Sequence, residues 1–539
     1  MRILRFLLGI NTRTKITIAV LVVALGAYLL VHFALQEMRI EEVAQEDLRA
    51  PVAVENTTTL SPTPPASNDP ATSTTLDSTT LTIEDRQPSF TPAAEAEQEN
   101  PPSTPLPSLQ ETSTTTTTMA TTAAAGTPTT TTTMAAATEG GGPESATDDG
   151  ITAPSDAEEV FDGLIPGLLS RWNVPGAAIA IARDGKLVLA RGYGLANVEK
   201  GEPVEPDSLF RIASVSKPIT AVAVLRLAEE GLLDLDERVY EILREFQAPE
   251  RTGGDPGLEE ITVRHLLQHS GGWDAAKSYD AMFQAERIEQ ELGGPKPVSC
   301  RDVIRFMVGQ PLDFDPGTQY AYSNFGYCLL GRIIEERADQ PYEQYVMERV
   351  LRPLGITGMR IGGTLSEEQM EGEVTYYGYP GEPQAFSVMP DTPDTVPWPY
   401  GGFHLRTMDA HGGWVASAID LVRFAVSVDG SSPPSVLTPE TVELMTSRPP
   451  LPQWEDSSHF YGMGWAIRPV GDDANWWHDG SLPGTQALIV RTYHGFAWAV
   501  LFNSRPSEWA LFGQEVDELV WEGVRQVTLW PSGAAFPSG

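Results

Sequence analysis

Ser214 and Lys217 stand three residues apart in the stretch FRIASVSKPITA, Phe210 to Ala221. The chain has six lysines, and no other follows a serine by three. On a helix such neighbours lie about 5–6 Å apart at Cβ, so the amine can reach the hydroxyl and accept its proton. A solvated lysine titrates near ~10.4 and is a poor base at neutral pH; burial or neighbouring cations must first suppress its charge. Once that condition is met, Ser214 is an activated nucleophile able to form an acyl-enzyme. Placed in the first turn of a helix, its amide can also donate to a developing oxyanion. An exposed serine and lysine at an ordinary helix start would do neither, and the pair alone does not separate the two readings.

Two further stretches add chemistry. FDPGTQYAYSNFGYCLLGRIIE (Phe314 to Glu335) holds Tyr322-Ser323-Asn324, the one Tyr-x-Asn of the chain, just before a helical pattern. WHDGSLPG (Trp477 to Gly484) holds His478-Asp479-Gly480, just before a hairpin pattern. In this order and context the three motifs resemble the serine β-lactamase and penicillin-binding superfamily, specifically its class C β-lactamase-like branch, which also includes DD-peptidases, D-aminopeptidases and esterases. ITVRHLLQHSGGW (Ile261 to Trp273), HGGWVASAIDLVRF (His411 to Phe424) and YGMGW (Tyr461 to Trp465) resemble the same branch. The likeness runs from about residue 158 to 525.

The resemblance implies roles, position by position. Ser214 is the nucleophile. Lys217 and Tyr322 share the proton transfers as a coupled unit, with the base left open between them. Asn324 hydrogen-bonds a substrate amide or carbonyl and helps orient Lys217. The backbone N–H groups of Ser214 and Ser481 form the oxyanion hole. The third motif departs from the commonest pattern. His478 stands where lysine is usual, and since histidine titrates near ~6.5, a cationic role there fades above neutral pH. Asp479, followed by Gly480, stands where a Thr or Ser hydroxyl helps hold the carboxylate of β-lactams and D-Ala peptides. A carboxylate at that point repels such substrates unless it points away. The expectation is therefore hydrolysis of an ester, or of an amide without a free carboxylate. A penicillin-interacting enzyme of the β-lactamase or DD-peptidase type is the alternative within the class. A non-catalytic cell-envelope binding module is the alternative outside it. No metal and no organic cofactor is implied.

These residues need a scaffold. Apolar alternation on both sides of Asp184-Gly185 (Gly176 to Gly194) predicts a hairpin, and Thr485 to Asn503 predicts a second, turning at His494-Gly495. Helical patterns cover Ile219 to Glu230, Gly326 to Ala338 and Phe512 to Gln526. Strands at both ends with helices between predict an α/β (α+β) architecture: one antiparallel sheet flanked by helices, with a mainly helical subdomain. By resemblance this is the β-lactamase/transpeptidase-like fold. Cys300 and Cys328, the only cysteines, bracket the loop of Tyr322 and Asn324. In an exported chain they are expected to pair, a closure worth about 3 kcal/mol. His265 and His269 have a helical metal spacing, but HLLQH has no glutamate of the metalloprotease kind and no evident third ligand. His404 and His411 flank a glycine-rich loop and read as loop packing or cleft lining. Most tryptophans read as core or cleft wall.

The rest of the chain sets location. Ile16 to Leu35 is twenty residues without a formal charge, enough to cross a hydrocarbon core as a helix. Arg2, Arg5, Arg13 and Lys15 precede it, so the positive-inside rule keeps residues 1–15 in the cytoplasm and sends the remainder outward. This reads as an uncleaved signal anchor rather than a cleaved signal peptide. Residues 36–157 are rich in Thr, Ser, Pro and Ala and predict a disordered linker. The hydrolase domain is expected over 158–527, followed by a tail, 528–539. Thirty-six basic against 73 acidic residues give a net charge of −37, which argues against nucleic-acid partners and against docking on anionic lipid. The expected protein is a single-pass membrane protein with an extracytoplasmic domain acting on a small-molecule or envelope-derived ester or peptide. Its oligomeric state is not encoded in these patterns.

Overall fold

The computed structural model describes residues 155–246, 254–429 and 434–537. The expected anchor at 16–35 and the linker up to 154 lie outside the described residues. Among the described residues no helix is long and apolar enough to cross a membrane.

Both predicted hairpins form. Strands β1 (Gly176–Arg183) and β2 (Lys186–Asn197) meet at Asp184 and Gly185, whose φ values of 50° and 74° are the positive pair that a two-residue type I′ turn requires. Completing the main sheet are β3 (Glu202–Pro203), β4 (Phe460–Tyr461), β5 (Ala466–Val470), β6 (Asp473–Leu482), β7 (Thr485–Arg491) and β8 (Phe496–Phe502). The sheet is antiparallel with order β3-β2-β1-β8-β7-β6-β5-β4. Its first and last long strands are neighbours, Ala177 opposite Phe502 through Arg183 opposite Phe496, so the ends of the domain close on each other.

Every residue of β8 and nearly every residue of β1 is buried, which is why these strands read as continuous apolar runs. On one face Ile179, Ile181, Val500 and Phe502 pack against α1 (Ala157–Trp172) and the closing helix Trp509–Gln526. Trp498 meets Trp521 edge-on at 4.8 Å and Phe502 meets Phe512 likewise. Ala178, Ala180 and Leu501 on the other face join the larger core beneath the helical middle of the chain. Helix α2 (Ser216–Glu229) runs through that core, with every residue from Ser216 to Leu225 buried.

Three details refine the sequence expectation. The helices begin a few residues earlier than the sequence pattern indicates, at Ser216, Asn324 and Trp509; in the first two, polar residues (Ser216 and Lys217, Asn324) occupy the first turn. His478-Asp479-Gly480 precedes the hairpin as expected but is itself in a strand, β6, with Asp479 opposite Leu488 of β7, although Asp-Gly-Ser reads locally as a turn. The tail docks on the domain over residues 528–534. Thr528 and Leu529 donate to the Asp156 carboxylate, Ala534 and Leu187 exchange two backbone hydrogen bonds, and Trp530 packs on Phe496 at 5.1 Å.

Cys300 and Cys328 are bonded to each other, with Cα atoms 6.2 Å apart. They join α3 (Cys300–Met307) to α4 (Asn324–Ala338). Replacing both by alanine is expected to destabilise the domain by about 3 kcal/mol, the closure entropy of a loop this long. Urea unfolding of the double variant beside the wild type measures the loss, and an unchanged midpoint would show that the closure contributes nothing.

Candidate active site

Ser214 does not sit in an α-helical turn but in a 3₁₀ turn, Ala213–Val215, that leads into α2. Ala213 has φ +45°, a left-handed conformation that costs an L-residue roughly 1–2 kcal/mol. The strain lies immediately before the candidate nucleophile and turns Ser214 against β6. Gly480 explains how β6 comes so near. A Cβ at that position would stand 2.2 Å from the Ile212 carbonyl oxygen and 3.1 Å from the Ser214 nitrogen. The pairing of β5 with β6 ends at Ala466 opposite Trp477, so His478 to Leu482 form the free side of the strand where the 3₁₀ turn docks.

Lys217 is fully buried. Its Nζ lies 3.0 Å from Ser214 Oγ, 2.7 Å from Asn324 Oδ1 and 3.0 Å from the His411 carbonyl oxygen. As an ammonium, Nζ donates to all three. As a free amine its two N–H groups satisfy the two carbonyl oxygens, and the lone pair remains for the Ser214 hydroxyl, which then donates to Nζ. The arrangement suits a base aimed at Ser214.

Tyr322 is buried, with its ring centre 4.6 Å from Lys217 Nζ. The backbone on both sides of it is held by His269: Ala321 N–H donates to the His269 carbonyl at 2.8 Å, and Ser323 N–H donates to His269 Nδ1 at 3.1 Å. With Nδ1 accepting, the neutral ring carries its proton on Nε2. The ring is sandwiched among Tyr322, Tyr461 and Tyr327 at 4.4, 4.6 and 5.0 Å. Burial first, then Lys217 and His478, hold it well below the usual histidine range. His265 is turned to another task, its Nδ1 accepting from Thr262 N–H in a helix cap. The helical spacing of the two histidines thus marks a cap and a clamp, and among the described residues no cluster able to hold a metal ion is found. His411 contributes its carbonyl to Lys217, while His404 Nδ1 meets Thr407 Oγ1 at 2.7 Å.

His478 is 3% exposed. Nδ1 lies 2.6 Å from the Asp479 carbonyl oxygen, which can only accept, so Nδ1 carries the proton and Tyr461 O–H donates to Nε2 at 3.0 Å. Burial, with Lys217 adding to it, pushes the imidazole down to about 3. The cationic role expected to fade above neutral pH is therefore absent across the whole physiological range. Asp479 is half-buried. Desolvation pushes its carboxyl up to about 6, outweighing the pull of its own backbone N–H and of Lys217. At neutral pH it is mostly ionised, and its field reaches Lys217 and Tyr320.

Sequence spacing does not point to Asp280. Its Oδ2 accepts from Asn324 Nδ2 at 2.6 Å and its Oδ1 from Met282 N–H at 3.0 Å; only its place before Ala281-Met282-Phe283 marks it, as a cap. A small apolar cavity of about 30 Å³ lies beside this short 3₁₀ helix, walled by Met282, Phe283, Val298, Val388 and Phe403. Phe283 and Phe403 belong to the apolar cluster that includes Ala213, the residue before Ser214.

The beta-lactamase family matches residues 161–515. Esterase EstB of Burkholderia gladioli is 35% identical over 228 residues, which cover 41% of this chain and 55% of the esterase. Protein flp of Staphylococcus aureus is 32% identical over 200 residues, or 37% of each chain. These matches span about half or less of each relative's length. Among solved structures, the octameric penicillin-binding protein homologue from Pyrococcus abyssi aligns with a TM-score of 0.52 at 27% identity, covering 68% of this chain and 78% of that one. D-amino acid amidase from Ochrobactrum anthropi, at 23% identity and a TM-score of 0.54 over 69% of this chain and 99% of its own, shares the fold. A buried Ser-Lys pair, a tyrosine and an asparagine on the adjoining loop, and a His-x-Gly strand along the cleft are joined here by a family match over most of the folded part, and the chain belongs to the beta-lactamase family within the serine β-lactamase and penicillin-binding superfamily.

Proposed function

We propose that this protein is a membrane-anchored, extracytoplasmic serine hydrolase that acts through a Ser214 acyl-enzyme on an ester, or on an amide lacking a free carboxylate. The observation that carries the reading is Lys217, buried, with its Nζ 3.0 Å from Ser214 Oγ and two carbonyl oxygens taking its other hydrogens. In the proposed cycle Lys217, coupled to Tyr322, takes the Ser214 proton as Oγ attacks the carbonyl carbon. The N–H groups of Ser214 and Ser481 receive the oxyanion. Collapse expels the alcohol or amine, which takes up the proton, and water then hydrolyses the acyl-enzyme. The esterase relative supports ester chemistry. For the location, the uncharged run 16–35 and a disulfide, which persists in oxidising compartments, both speak for export.

Asp479 sets the substrate preference. A substrate carboxylate about 7 Å from it would meet roughly 2 kcal/mol of repulsion at an effective dielectric of about 20, a tens-fold penalty. With its carboxyl near 6, the penalty is full at pH 7.5 and fades as pH falls through 6 and the group takes up a proton. The test compares kcat/KM for a p-nitrophenyl ester, nitrocefin and a D-Ala-D-Ala peptide at pH 7.5 and 5.5, in the wild type and in Asp479→Thr. Ester turnover is expected to dominate at pH 7.5, with the gap narrowing at 5.5 and in the variant. Wild-type turnover of nitrocefin rivalling the ester at pH 7.5 would overturn the preference.

A further inference from the structure

We propose that Asp280 is a positioning residue for the reaction: it fixes the side-chain amide of Asn324 so that Oδ1, not the NH₂ group, faces Lys217. This rests on the serine-hydrolase reading above and goes beyond it by adding a residue outside all three motifs.

The case is one of hydrogen-bond polarity. An asparagine amide presents an acceptor at one end and donors at the other, and two orientations fit the same volume. Lys217 Nζ, 2.7 Å away, needs an acceptor from Asn324. With the amide flipped, two N–H groups would face the amine and compete with Ser214 for its lone pair. Asp280 forbids that flip, because an ionised carboxylate only accepts. Its Oδ2 takes the Asn324 Nδ2 hydrogen at 2.6 Å; flipped, carbonyl oxygen and carboxylate would collide. Asp280 is itself anchored to backbone through the 3.0 Å hydrogen bond from Met282 N–H. A chain of fixed polarity therefore runs from backbone N–H through Asp280 and Asn324 to Lys217 and ends at Ser214 Oγ. Burial raises the Asp280 carboxyl from its usual value while Asn324, Met282 N–H and Lys217 pull it back, so the fold surrounds the ionised form with partners.

The effect must pass through Asn324, and the test uses that. Wild type, Asp280→Asn, Asp280→Leu, Asn324→Ala and the Asp280→Leu/Asn324→Ala double variant are compared for kcat and KM on a p-nitrophenyl ester and for the rate of Ser214 labelling by a fluorophosphonate. Asp280→Leu is expected to lower kcat and the labelling rate together by about 10- to 100-fold with KM within about threefold. Asp280→Asn, nearly isosteric and still offering one acceptor oxygen, should recover most of that loss. In the Asn324→Ala background Asp280→Leu should cost nothing more. Equal loss in Asn and Leu variants, full activity in Asp280→Leu, or an undiminished effect without the Asn324 amide would overturn the assignment. If Asp280→Leu does not fold, Asp280→Ala takes its place in the same comparison, with and without Asn324→Ala. A wild type that neither turns over ester nor labels at Ser214 would bring down the hydrolase reading and this assignment together, whereas an active wild type indifferent to Asp280 brings down only the latter.

Discussion

Replacing Ser214 with alanine is expected to reduce kcat for a p-nitrophenyl ester by about 10⁴-fold or more, with the folded domain unchanged. The side chain lies in the 3₁₀ turn with Oγ 3.0 Å from Lys217 Nζ, so losing one oxygen removes the nucleophile without opening a cavity of consequence. Lys217→Met should fall to a similar floor, since it removes the base while keeping a long apolar side chain in a fully buried site. The two changes should not add. Groups that act as one unit each forfeit nearly the whole effect when removed, and the residual rate then reflects the oxyanion donors and substrate binding. Intact mass after reaction with a fluorophosphonate should show one adduct in the wild type and none in Ser214→Ala. An ester rate that survives in Ser214→Ala would move the chemistry elsewhere in the chain and leave the binding-module reading as the better account of the fold.

Local pattern and short spacing encode part of this fold and site. Asp184-Gly185 between alternating strands specifies a turn with two positive φ angles, and the structure has them. Ser214 and Lys217 are close in sequence, so their meeting needs only a helical start. The strand carrying His478, Asp479 and Gly480 was hidden because its β character comes from pairing with β7, not from β-branched residues. The polar links are harder still. Asp280 reaches Asn324 across 44 positions and His269 reaches Ser323 across 54, and neither contact leaves a periodic trace. The i,i+4 spacing of His265 and His269 is compatible with shared ligation although no third ligand accompanies it, and in the structure the helix ends at Leu267 and His269 adopts φ +53°, so the two residues do not share a helix face. The charge of His478 follows the same logic: the ordinary histidine value of ~6.5 assumes solvent, and the buried strand position removes it.

Gly480→Ala tests whether the approach of β6 to the nucleophile is as tight as the geometry requires. The added methyl would lie 2.2 Å from the Ile212 carbonyl oxygen and 3.1 Å from the Ser214 nitrogen. Both neighbours are backbone atoms, so no side-chain rotation relieves the overlap, and either β6 or the 3₁₀ turn must shift. The turn is already strained at Ala213 and leads directly into the fully buried start of α2, while β6 is held by its register with β7 from Trp476 to Leu482. Neither side yields easily, and overpacking of this kind costs about 1–3 kcal/mol or more. The catalytic consequence should exceed the loss of stability. If the N–H groups of Ser214 and Ser481 jointly receive the oxyanion, separating the turn from the strand misplaces one of them, and loss of one such donor costs about 10²- to 10³-fold in kcat. Phosphonylation of Ser214, which builds up similar charge, should slow in parallel, while ester KM changes little. A folded Gly480→Ala enzyme with wild-type kcat would mean that the strand can withdraw freely, and with it would go the assignment of Ser481 to the oxyanion hole.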